Sequence, residues 1–491
     1  MQKKVVRRVT AWVAMAVALG MVLSGCTWFG PRDAALDPMG AGPMEQIEVV
    51  IEGELTDAMV AELAAYGQIT HELRHAGGVA MVARGSKLAE LARLPFVRDV
   101  GYQAIRTMHD IAADGISTWD LDMINVTELD AEPIRQVGYD GTGVYVAVLD
   151  TGLVMNWREY FPEERIAVDL AKVFQSGASE NSAVTSPVHL WEHDTESHGT
   201  HVTSTILGYT VHSVNGDYDV NGVAPAATVI PVKVLSNTGS GWSGGIAAGI
   251  EYIGYLRASG ALGTSPAVIN MSLGGPELSL LEEEAIDYAI EQGVIVVASA
   301  GNEGLAGMGY PGAYEPVVSV GAVGWTEEWL PLDANGNING LWWQGDVLDP
   351  TSLDAVYICD FSSRELPGQD LDVLAPGSWV VGPYLGSGAA SPPIWSQGQP
   401  GQYYFLGGTS MAAPHVTGLV ALMLQANPTL AGYASEVEGI LEDTALAIAP
   451  GSAWVIDPSL GLLEFTWSAD ATGSGLVLAE TALAAATGWS P

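Results

Sequence analysis

Between residue 140 and the C-terminal region, short apolar runs alternate with longer segments of helical periodicity. The run Val144–Leu149 is almost entirely Val, Leu and Ala, which is typical of a parallel strand buried on both faces. Strands that alternate with helices predict an α/β fold with a doubly wound, mostly parallel sheet and helices on both faces. The predicted strands are 144–149, 228–235, 267–271, 294–298 and 317–323, and the predicted helices are 243–258, 278–292, 411–426 and 433–445.

A smaller module precedes this domain. Its pattern is β-α-β-β-α-β, which predicts a ferredoxin-like α+β unit. Thr56 is placed to cap the first helix, and Ser86–Glu90 has the composition of a capping box for the second. The strands are predicted at 46–54, 69–73, 79–83 and 96–102. We therefore divide the chain into a module at 46–112 and a main domain at 113–491, with a surface insertion at about 326–360 rich in Asp, Asn, Gly and Trp.

The N-terminus has the features of an export signal. Met1–Arg8 is basic, and Thr10–Val22 is apolar but short for a membrane span. Leu23–Cys26 resembles a bacterial lipobox, which implies cleavage before the cysteine and lipidation of its thiol. An ordinary signal peptide with a chance cysteine is the alternative. These features predict a signal peptide at 1–25 and a tether at 26–45.

Lipidation of Cys26 would leave Cys359 as the only free cysteine, so no intramolecular disulfide is expected. The lipid would anchor the exported precursor to the cell envelope, with the main domain outside the cell or associated with the envelope.

The formal net charge is −39, and residues 113–491 carry 45 acidic against 7 basic side chains. Such an excess argues against nucleic acid as a partner, because phosphates would be repelled. It favours solubility, cation binding or a saline habitat, and does not choose among them.

Three reactive side chains lie where an open α/β sheet gathers its sites, beyond the carboxyl ends of strands. Asp150 ends the first strand, His198 precedes a predicted helix, and Ser410 opens another. Each alone would be explained as a turn, loop or capping residue.

Their flanking motifs, taken together and in order, resemble those of the subtilisin-like serine proteases. The resemblance covers roughly residues 115–480 and is made of many colinear motifs. They are VAVLDTG at 146–152, HGTHV at 198–202, GVAP at 222–225, VKVL at 232–235, NMSLGG at 270–275, ASAGNEG at 298–304, YPG at 310–312, APG at 375–377 and GGTSMAAPHV at 407–416.

The resemblance implies a role for each matching residue. Ser410 would be the nucleophile and His198 the base that takes its proton. Asp150 would orient and stabilise the imidazole. Asn302 would donate to the oxyanion beside the Ser410 backbone N–H. The related carboxyl-type serine peptidases would have a glutamate and an aspartate in place of His198 and Asn302, so these two residues argue against that group.

The same resemblance implies a cleft that binds a polypeptide substrate by strand addition. Small apolar lining predicts a broad pocket for a large apolar P1 side chain. Its floor is open to question, because Leu305 or Met308 could intrude. The substrate-binding residues are Ser272, Leu273, Gly274 and Gly275 on one side and Ser299, Ala300 and Gly301 on the other.

In this family the small module would be a propeptide that assists folding and inhibits until it is cut. We expect the junction between about 105 and 118, the propeptide as an intramolecular inhibitor, and a monomeric enzyme. Because the lipid would lie on the propeptide side, processing would release the protease from the membrane.

No cofactor is expected for the chemistry, whereas structural calcium is possible. Asp217 and Asp219 lie in a loop where family members bind calcium; a solvated acidic loop is the alternative. The segment 333–340 resembles a calcium loop, but its twelfth position is Gln344 rather than Glu, so a turn is preferred.

His201, His415 and Cys359 are expected to be packed or hydrogen-bonded rather than reactive. Two alternatives to a degradative endopeptidase stay open: a non-catalytic surface protein on a decayed protease fold, and a narrow processing protease. In the second, the segment between Asp150 and His198 and the insertion 326–360 would narrow access to the cleft.

Overall fold

The computed structural model describes residues 44–103, 105–108, 111–113, 118–128, 135–174, 190–211, 217–330, 342–385, 403–458 and 460–490. None of the helices within these ranges is long and apolar enough to cross a membrane. The helices are α1 (Asp57–Leu63), α2 (Leu88–Leu91), α3 (Trp119–Met123), α4 (His198–Leu207), α5 (Ser243–Ala258), α6 (Leu280–Glu291), α7 (Thr409–Ala426), α8 (Ala434–Thr444) and α9 (Ala479–Gly488).

The strands lie in six sheets. They are β1 (Met44–Ile51), β2 (Gly67–Leu73), β3 (Gly78–Arg84), β4 (Val97–Tyr102), β5 (Ile105–Met108), β6 (Ile111–Ala113), β7 (Tyr145–Asp150), β8 (Lys172–Val173), β9 (Gly208–Val211), β10 (Tyr218–Asn221), β11 (Thr228–Lys233), β12 (Ser240–Trp242), β13 (Ala267–Met271), β14 (Leu273–Gly274), β15 (Val294–Ser299), β16 (Val318–Trp325), β17 (Val356–Ile358), β18 (Val373–Pro376), β19 (Val380–Pro383), β20 (Tyr403–Gly407), β21 (Gly451–Asp457) and β22 (Gly461–Trp467).

The central sheet has eight strands in the order β17-β16-β15-β13-β7-β11-β8, with β18 also on β16. All pairs are parallel except β16 with β17, so the predicted mostly parallel sheet is confirmed. The five predicted strands coincide with β7, β11, β13, β15 and β16 to within two residues at each end. Asp150 is therefore placed at the carboxyl edge of the sheet.

Helices cover both faces of this sheet, as predicted. On one face α5 and α6 pack against each other, and their apolar side chains, such as Ile250 and Ile286, join those of the strands. On the other face the buried helix α7 lies across the strands, with α4 and α9 beside it. The two layers bury the apolar runs of the strands on both sides, which is why those runs show no polar alternation.

The N-terminal module has the sheet order β2-β3-β1-β4, which matches the predicted ferredoxin-like pattern. Thr56 caps α1, accepting a hydrogen bond from the backbone N–H of Met59 at 3.3 Å. The predicted capping box at Ser86 is wrong: 85–87 form a 3₁₀ turn, and α2 begins at Leu88 with no side-chain cap.

This module rests on the N-terminal ends of α5 and α6. The Glu48 carboxylate accepts hydrogen bonds from Ser279 Oγ at 2.6 Å and from the backbone N–H of Leu280 at 3.0 Å. Gln103 Oε1 accepts from the backbone N–H of Gly244 at 3.0 Å. Because the first N–H groups of a helix lack partners within it, these two side chains satisfy donors that would otherwise need water.

The segment at 326–360 is not a purely surface insertion, which corrects the expectation from its polar composition. Trp329, Trp342 and Trp343 are at most 3% exposed. Trp342 stacks on Phe405 with ring centroids 5.2 Å apart, and the carbonyl of Trp343 accepts from the N–H of Trp119 at 3.0 Å. The tryptophans bury this segment against β20 and against α3, the first helix of the main domain.

Candidate active site

Asp150 and His198 meet at the carboxyl edge of the central sheet. His198 is the first residue of α4, and its Nδ1 lies 2.9 Å from each carboxylate oxygen of Asp150. Both side chains are fully buried. With Asp150 ionised, Nδ1 must carry the ring hydrogen, so Nε2 is the nitrogen able to accept a proton. This is the arrangement that a histidine base requires.

The polypeptide around this pair is held by residues that the sequence did not single out. Thr151 Oγ1 donates to Asp194 at 2.7 Å and accepts from the backbone N–H of Gly199 at 2.9 Å. The Thr151 N–H donates to Asp150 Oδ1 at 2.6 Å. Thr151 thus ties the end of β7 to the start of α4 and fixes the position of the imidazole relative to the carboxylate.

Asp194 also organises the turn before His198. It accepts from the backbone N–H groups of Glu196 and Ser197 at 2.9 and 2.8 Å. Ser197 has φ of 78°, a left-handed conformation that is uncommon for a residue other than glycine. Burial raises the pKa of Asp194 to about 6, although Lys233 opposes the shift. The Asp-x-x-Ser-His spacing is the signal that could have predicted this turn.

Ser410 is the second residue of α7, because the helix begins at Thr409. The helix therefore starts two residues before the predicted 411, and Pro414 lies beyond the first turn rather than in it. Proline has no N–H, so the Ser410 carbonyl loses its helical donor. Ser272 Oγ donates to that carbonyl at 2.7 Å instead. The Ser410 hydroxyl in turn donates to the Ser272 carbonyl at 3.2 Å.

A polar chain continues from Ser272 into the core. Asn270 Nδ2 donates to Ser272 Oγ at 3.0 Å, and Thr417 Oγ1 donates to Asn270 Oδ1 at 2.9 Å. Thr417 lies on α7 two turns beyond Ser410. Strand β13 and helix α7 are thus joined at two levels, and the start of the helix is fixed against the strand that leads into the cleft.

Asn302 is oriented by the residue that precedes Ser410. Its Oδ1 accepts from the Thr409 N–H at 2.9 Å and from Thr409 Oγ1 at 3.1 Å. Thr409 Oγ1 also accepts from the Gly301 N–H at 3.1 Å. Within the described part of the chain, no group accepts from Asn302 Nδ2, so the two amide N–H donors are available to a ligand beside the helix start.

The edge predicted to bind substrate is already paired with a strand of the same chain. Residues 105–108 lie antiparallel between Leu273–Gly274 and 240–242, with Met108 opposite Leu273 and Thr107 opposite Gly274. Gly275 instead pairs with Tyr310 through backbone hydrogen bonds of 2.9 and 2.7 Å.

Beyond two intervening residues, β6 at 111–113 pairs with β20, and Ile111 lies opposite Gly407. Gly407 is three residues before Ser410. One paired segment thus adjoins Leu273–Gly274, and the other adjoins the strand that leads into the Ser410 helix.

The opposite wall is formed by buried residues at the end of β15. Ser299 and Ala300 are fully buried, and the Gly309 N–H donates to the Ala300 carbonyl at 2.8 Å. Leu305 is 81% exposed and so does not enter the pocket. Met308 is 4% exposed, and its backbone is held on both sides by the amide of Gln369 at 2.9 Å.

The two other histidines of the motifs are structural, as predicted. Burial lowers the pKa of His201 to about 3, and its Nε2 lies 3.1 Å from the Val380 carbonyl. The ring of His415 lies between Asp120 Oδ2 at 2.9 Å and the Met411 carbonyl at 2.8 Å. Cys359 is buried, and burial raises the pKa of its thiol well above its usual value.

The predicted calcium ligands are not gathered into a site within the described ranges. Asp219 accepts from Thr210 Oγ1 at 2.7 Å, and Asp217 begins the described part of its loop. Cys26 and the loop at 333–340 lie outside the described residues. Among the residues that the structure describes, the carboxylates close enough to bind a metal together are those of Asp122, Glu128 and Asp346, a group compatible with structural calcium.

Comparison with known proteins agrees with the fold. A family model described as the subtilase family matches residues 141–482. The chain belongs to the subtilase family. Subtilisin E of Bacillus subtilis is 33% identical over 324 residues, which is 65% of each chain. Subtilisin Savinase of Lederbergia lenta is 32% identical. The match covers 73% of this subtilase and 97% of Subtilisin Savinase.

The solved structure of fervidolysin from Fervidobacterium pennivorans, a keratinolytic enzyme related to subtilisin, has a TM-score of 0.59 and 24% identity. It covers 90% of this chain, which spans 61% of that protein, and it shows the shared fold. Family and relatives together support a serine-type endopeptidase hydrolase. Catalysis by a subtilase needs no cofactor.

Proposed function

We propose that this subtilase is a serine endopeptidase that cleaves peptide bonds through an acyl-enzyme, with Ser410 as nucleophile. The observation that carries the proposal is the buried pair of His198 and Asp150, 2.9 Å apart, in a site that also contains the start of the Ser410 helix. A serine hydroxyl is a weak nucleophile until a base takes its proton.

In the first step His198 Nε2 takes the Ser410 proton as the oxygen attacks the substrate carbonyl. The imidazolium that forms is stabilised by the Asp150 carboxylate, which stays ionised. The nitrogen then delivers the proton to the leaving amine, and the peptide bond breaks. Water then attacks the remaining ester while His198 Nε2 takes its proton. The same nitrogen returns that proton to Ser410 Oγ as the ester bond breaks, which releases the second product.

The developing oxyanion is stabilised by Asn302 Nδ2 and the backbone N–H of Ser410. Support comes from Thr409, which holds Asn302 Oδ1 with two donors and so fixes the orientation of the amide next to Ser410. Ser410 is at the second position of α7, where a backbone N–H has no helical acceptor. Donors placed in advance in this way need no reorganisation when charge develops.

The enzyme is made as a precursor that cuts itself. Support comes from the strand at 105–108 in the substrate edge and the strand at 111–113 beside Gly407. We place the cut between Met108 and Ile111. The central bond of this interval, His109–Asp110, is the expected one. After the cut, the N-terminal module inhibits the enzyme until it dissociates, because residues 105–108 still occupy the substrate-binding edge.

Intact mass of purified wild type beside Ser410→Ala tests the proposal. Wild type should yield a mature fragment that begins between residues 109 and 111 and hydrolyses a peptide substrate. Ser410→Ala should remain full length and inactive. Equal cleavage at the same bond in both proteins would contradict self-processing, and turnover by Ser410→Ala would contradict the proposed nucleophile.

Export and anchoring extend this proposal. Cys26 would carry a lipid on the propeptide side of the cut, so processing would free the protease from the membrane. Membrane fractionation of cells that express wild type or Ser410→Ala tests this. Mature domain should leave the membrane only in wild type; retention of both proteins would contradict release by processing.

A further inference from the structure

Three carboxylates meet where the first helix of the main domain contacts the 342–347 segment. Asp122 lies on α3, Glu128 follows it, and Asp346 comes from the segment that carries the buried tryptophans. One oxygen from each carboxylate lies within 4.8 Å of the others. Asp346 and Glu128 are partly exposed, so the cluster has access to solvent.

Asp122 gives the independent indication that a ligand belongs here. Its side chain is fully buried, and its Oδ2 accepts from the Val347 N–H at 2.7 Å. No donor among the described residues reaches its Oδ1. A buried carboxylate oxygen with no donor is costly, because the group has lost its water without a replacement.

The surroundings of Asp122 make the cost larger, since its neighbours are also acids. Burial raises its pKa to about 7, and the charges of Glu128 and Asp346 add to the shift. Two ionised carboxylates are acceptors only, so Asp122 and Asp346 can approach closely only by sharing a proton or a cation.

We propose that Asp122, Glu128 and Asp346 bind a structural Ca²⁺ ion. Hard carboxylate oxygens are the ligands that Ca²⁺ prefers, at about 2.3–2.6 Å, with water completing the shell. Two ligands of one Ca²⁺ ion are thus at most about 5.2 Å apart, and oxygens within 4.8 Å of one another meet that condition. Mg²⁺ demands a stricter octahedron and usually keeps several of its waters.

The ion would join two parts of the chain that are distant in sequence. Asp122 lies near the start of the proposed mature chain, and Asp346 lies more than two hundred residues later, next to Val347. A bound Ca²⁺ would hold α3 against this segment after the propeptide has left. The strongly acidic chain, with a formal charge of −39, would favour cation binding at such a site.

The test uses the full chain with Ser410→Ala, which prevents self-digestion, and adds Asp346→Asn or Asp122→Asn. Bound Ca²⁺ is counted by equilibrium dialysis, and Tm is measured in chelator and in excess Ca²⁺. Asp354→Asn is the matched control, because it removes a carboxylate from the same segment outside the cluster. Asp219→Asn controls for the loop predicted from sequence.

Both cluster variants should bind one Ca²⁺ fewer per chain than the parent, and Asp354→Asn should bind the same number. Calcium should raise the Tm of the parent more than that of either cluster variant. In chelator the cluster variants should be at least as stable as the parent, because carboxylate repulsion is relieved.

Unchanged Ca²⁺ binding in both cluster variants, or loss of the ion in Asp219→Asn alone, would overturn the proposal. An equal loss of stability with and without Ca²⁺ would show a purely structural role and would also overturn it. Mg²⁺ that replaced Ca²⁺ at equal affinity would overturn the choice of ion. If Asp122→Asn or Asp346→Asn fails to fold, Glu128→Gln is used in its place, because Glu128 is partly exposed and its substitution perturbs the core less.

Discussion

The hydrogen bond from Ser272 to the Ser410 carbonyl should control both stability and rate. Ser272→Ala removes the donor that stands in for the missing N–H of Pro414, and it removes the acceptor of Asn270 Nδ2. Each buried polar group left without its partner costs about 1–3 kcal/mol, so the expected loss of unfolding free energy is about 2–6 kcal/mol. A displaced Ser410 should also reduce kcat by up to about 100-fold.

Thermal unfolding in a Ser410→Ala background measures the stability loss, and peptide hydrolysis by processed enzyme measures kcat. Ser204→Ala is the matched control: it deletes another buried hydroxyl, one that bonds to the His201 carbonyl three residues before it in the same helix. It should cost only about 1 kcal/mol. Pro414→Ala should partly rescue Ser272→Ala, because it restores a backbone donor. A loss no larger than that of the control, with unchanged kcat and no rescue, would refute this reasoning.

Three further predictions concern other buried groups. Asp120→Ala should lower the unfolding free energy by about 1–3 kcal/mol, because it leaves a buried ring nitrogen of His415 without its hydrogen-bond partner; a Tm within a degree of the parent would contradict this. Burial raises the pKa of Glu328 to about 8, so the folded protein binds this proton more tightly than the unfolded chain, and stability from this group falls as pH rises from about 4.5 to 8. Glu328→Gln should flatten that fall in a Tm series over pH, and parallel curves would show that another group is responsible. Asn302→Asp should reduce kcat by an amount equivalent to about 2.7–4 kcal/mol, a magnitude known from a subtilisin rather than worked out from this structure, with little change in KM; a rise in KM alone would mean that Asn302 only binds substrate.

The architecture followed from the sequence because its signal is strong and local. Apolar runs such as Val144–Leu149 can be buried on both faces only in a covered parallel sheet, and the structure has that sheet. The positions of Asp150 and His198 followed from strand and helix ends. The contact between them could be expected only because several motifs occur together in family order.

Other features depend on contacts between distant residues, which local patterns do not encode. In the predicted helix 411–426, Pro414 would lie in the first turn, where a missing N–H costs little. The helix instead begins at Thr409, and a serine 138 residues away donates to the carbonyl that the proline leaves without a donor. The tryptophans of 342–343 are buried although their neighbours are polar. The hairpin 451–467 and the helix 479–488 were not predicted. The hairpin has no clean alternation, and the alanines of the helix give no distinct apolar stripe despite their high helix propensity.

The cluster of Asp122, Glu128 and Asp346 was missed for the same reason. Asp346 lies more than two hundred residues after Asp122 and Glu128, and in a chain with 57 acidic side chains none of the three stands out. The acidic loop with Asp217 and Asp219 was the more visible candidate because its residues are adjacent. Calcium counting in the variants described above compares the two directly.

The central claim is that His198 and Asp150 activate Ser410 as a nucleophile. Labelling of the processed enzyme with an organofluorophosphonate, followed by peptide mapping, tests it most directly. Because the reagent reacts with activated serines, a single phosphonyl adduct should map to Ser410. It should form far more slowly with the His198→Ala mature chain, folded with the separate N-terminal module and then purified away from it. Labelling at another serine, or an equal rate without the imidazole, would contradict the account.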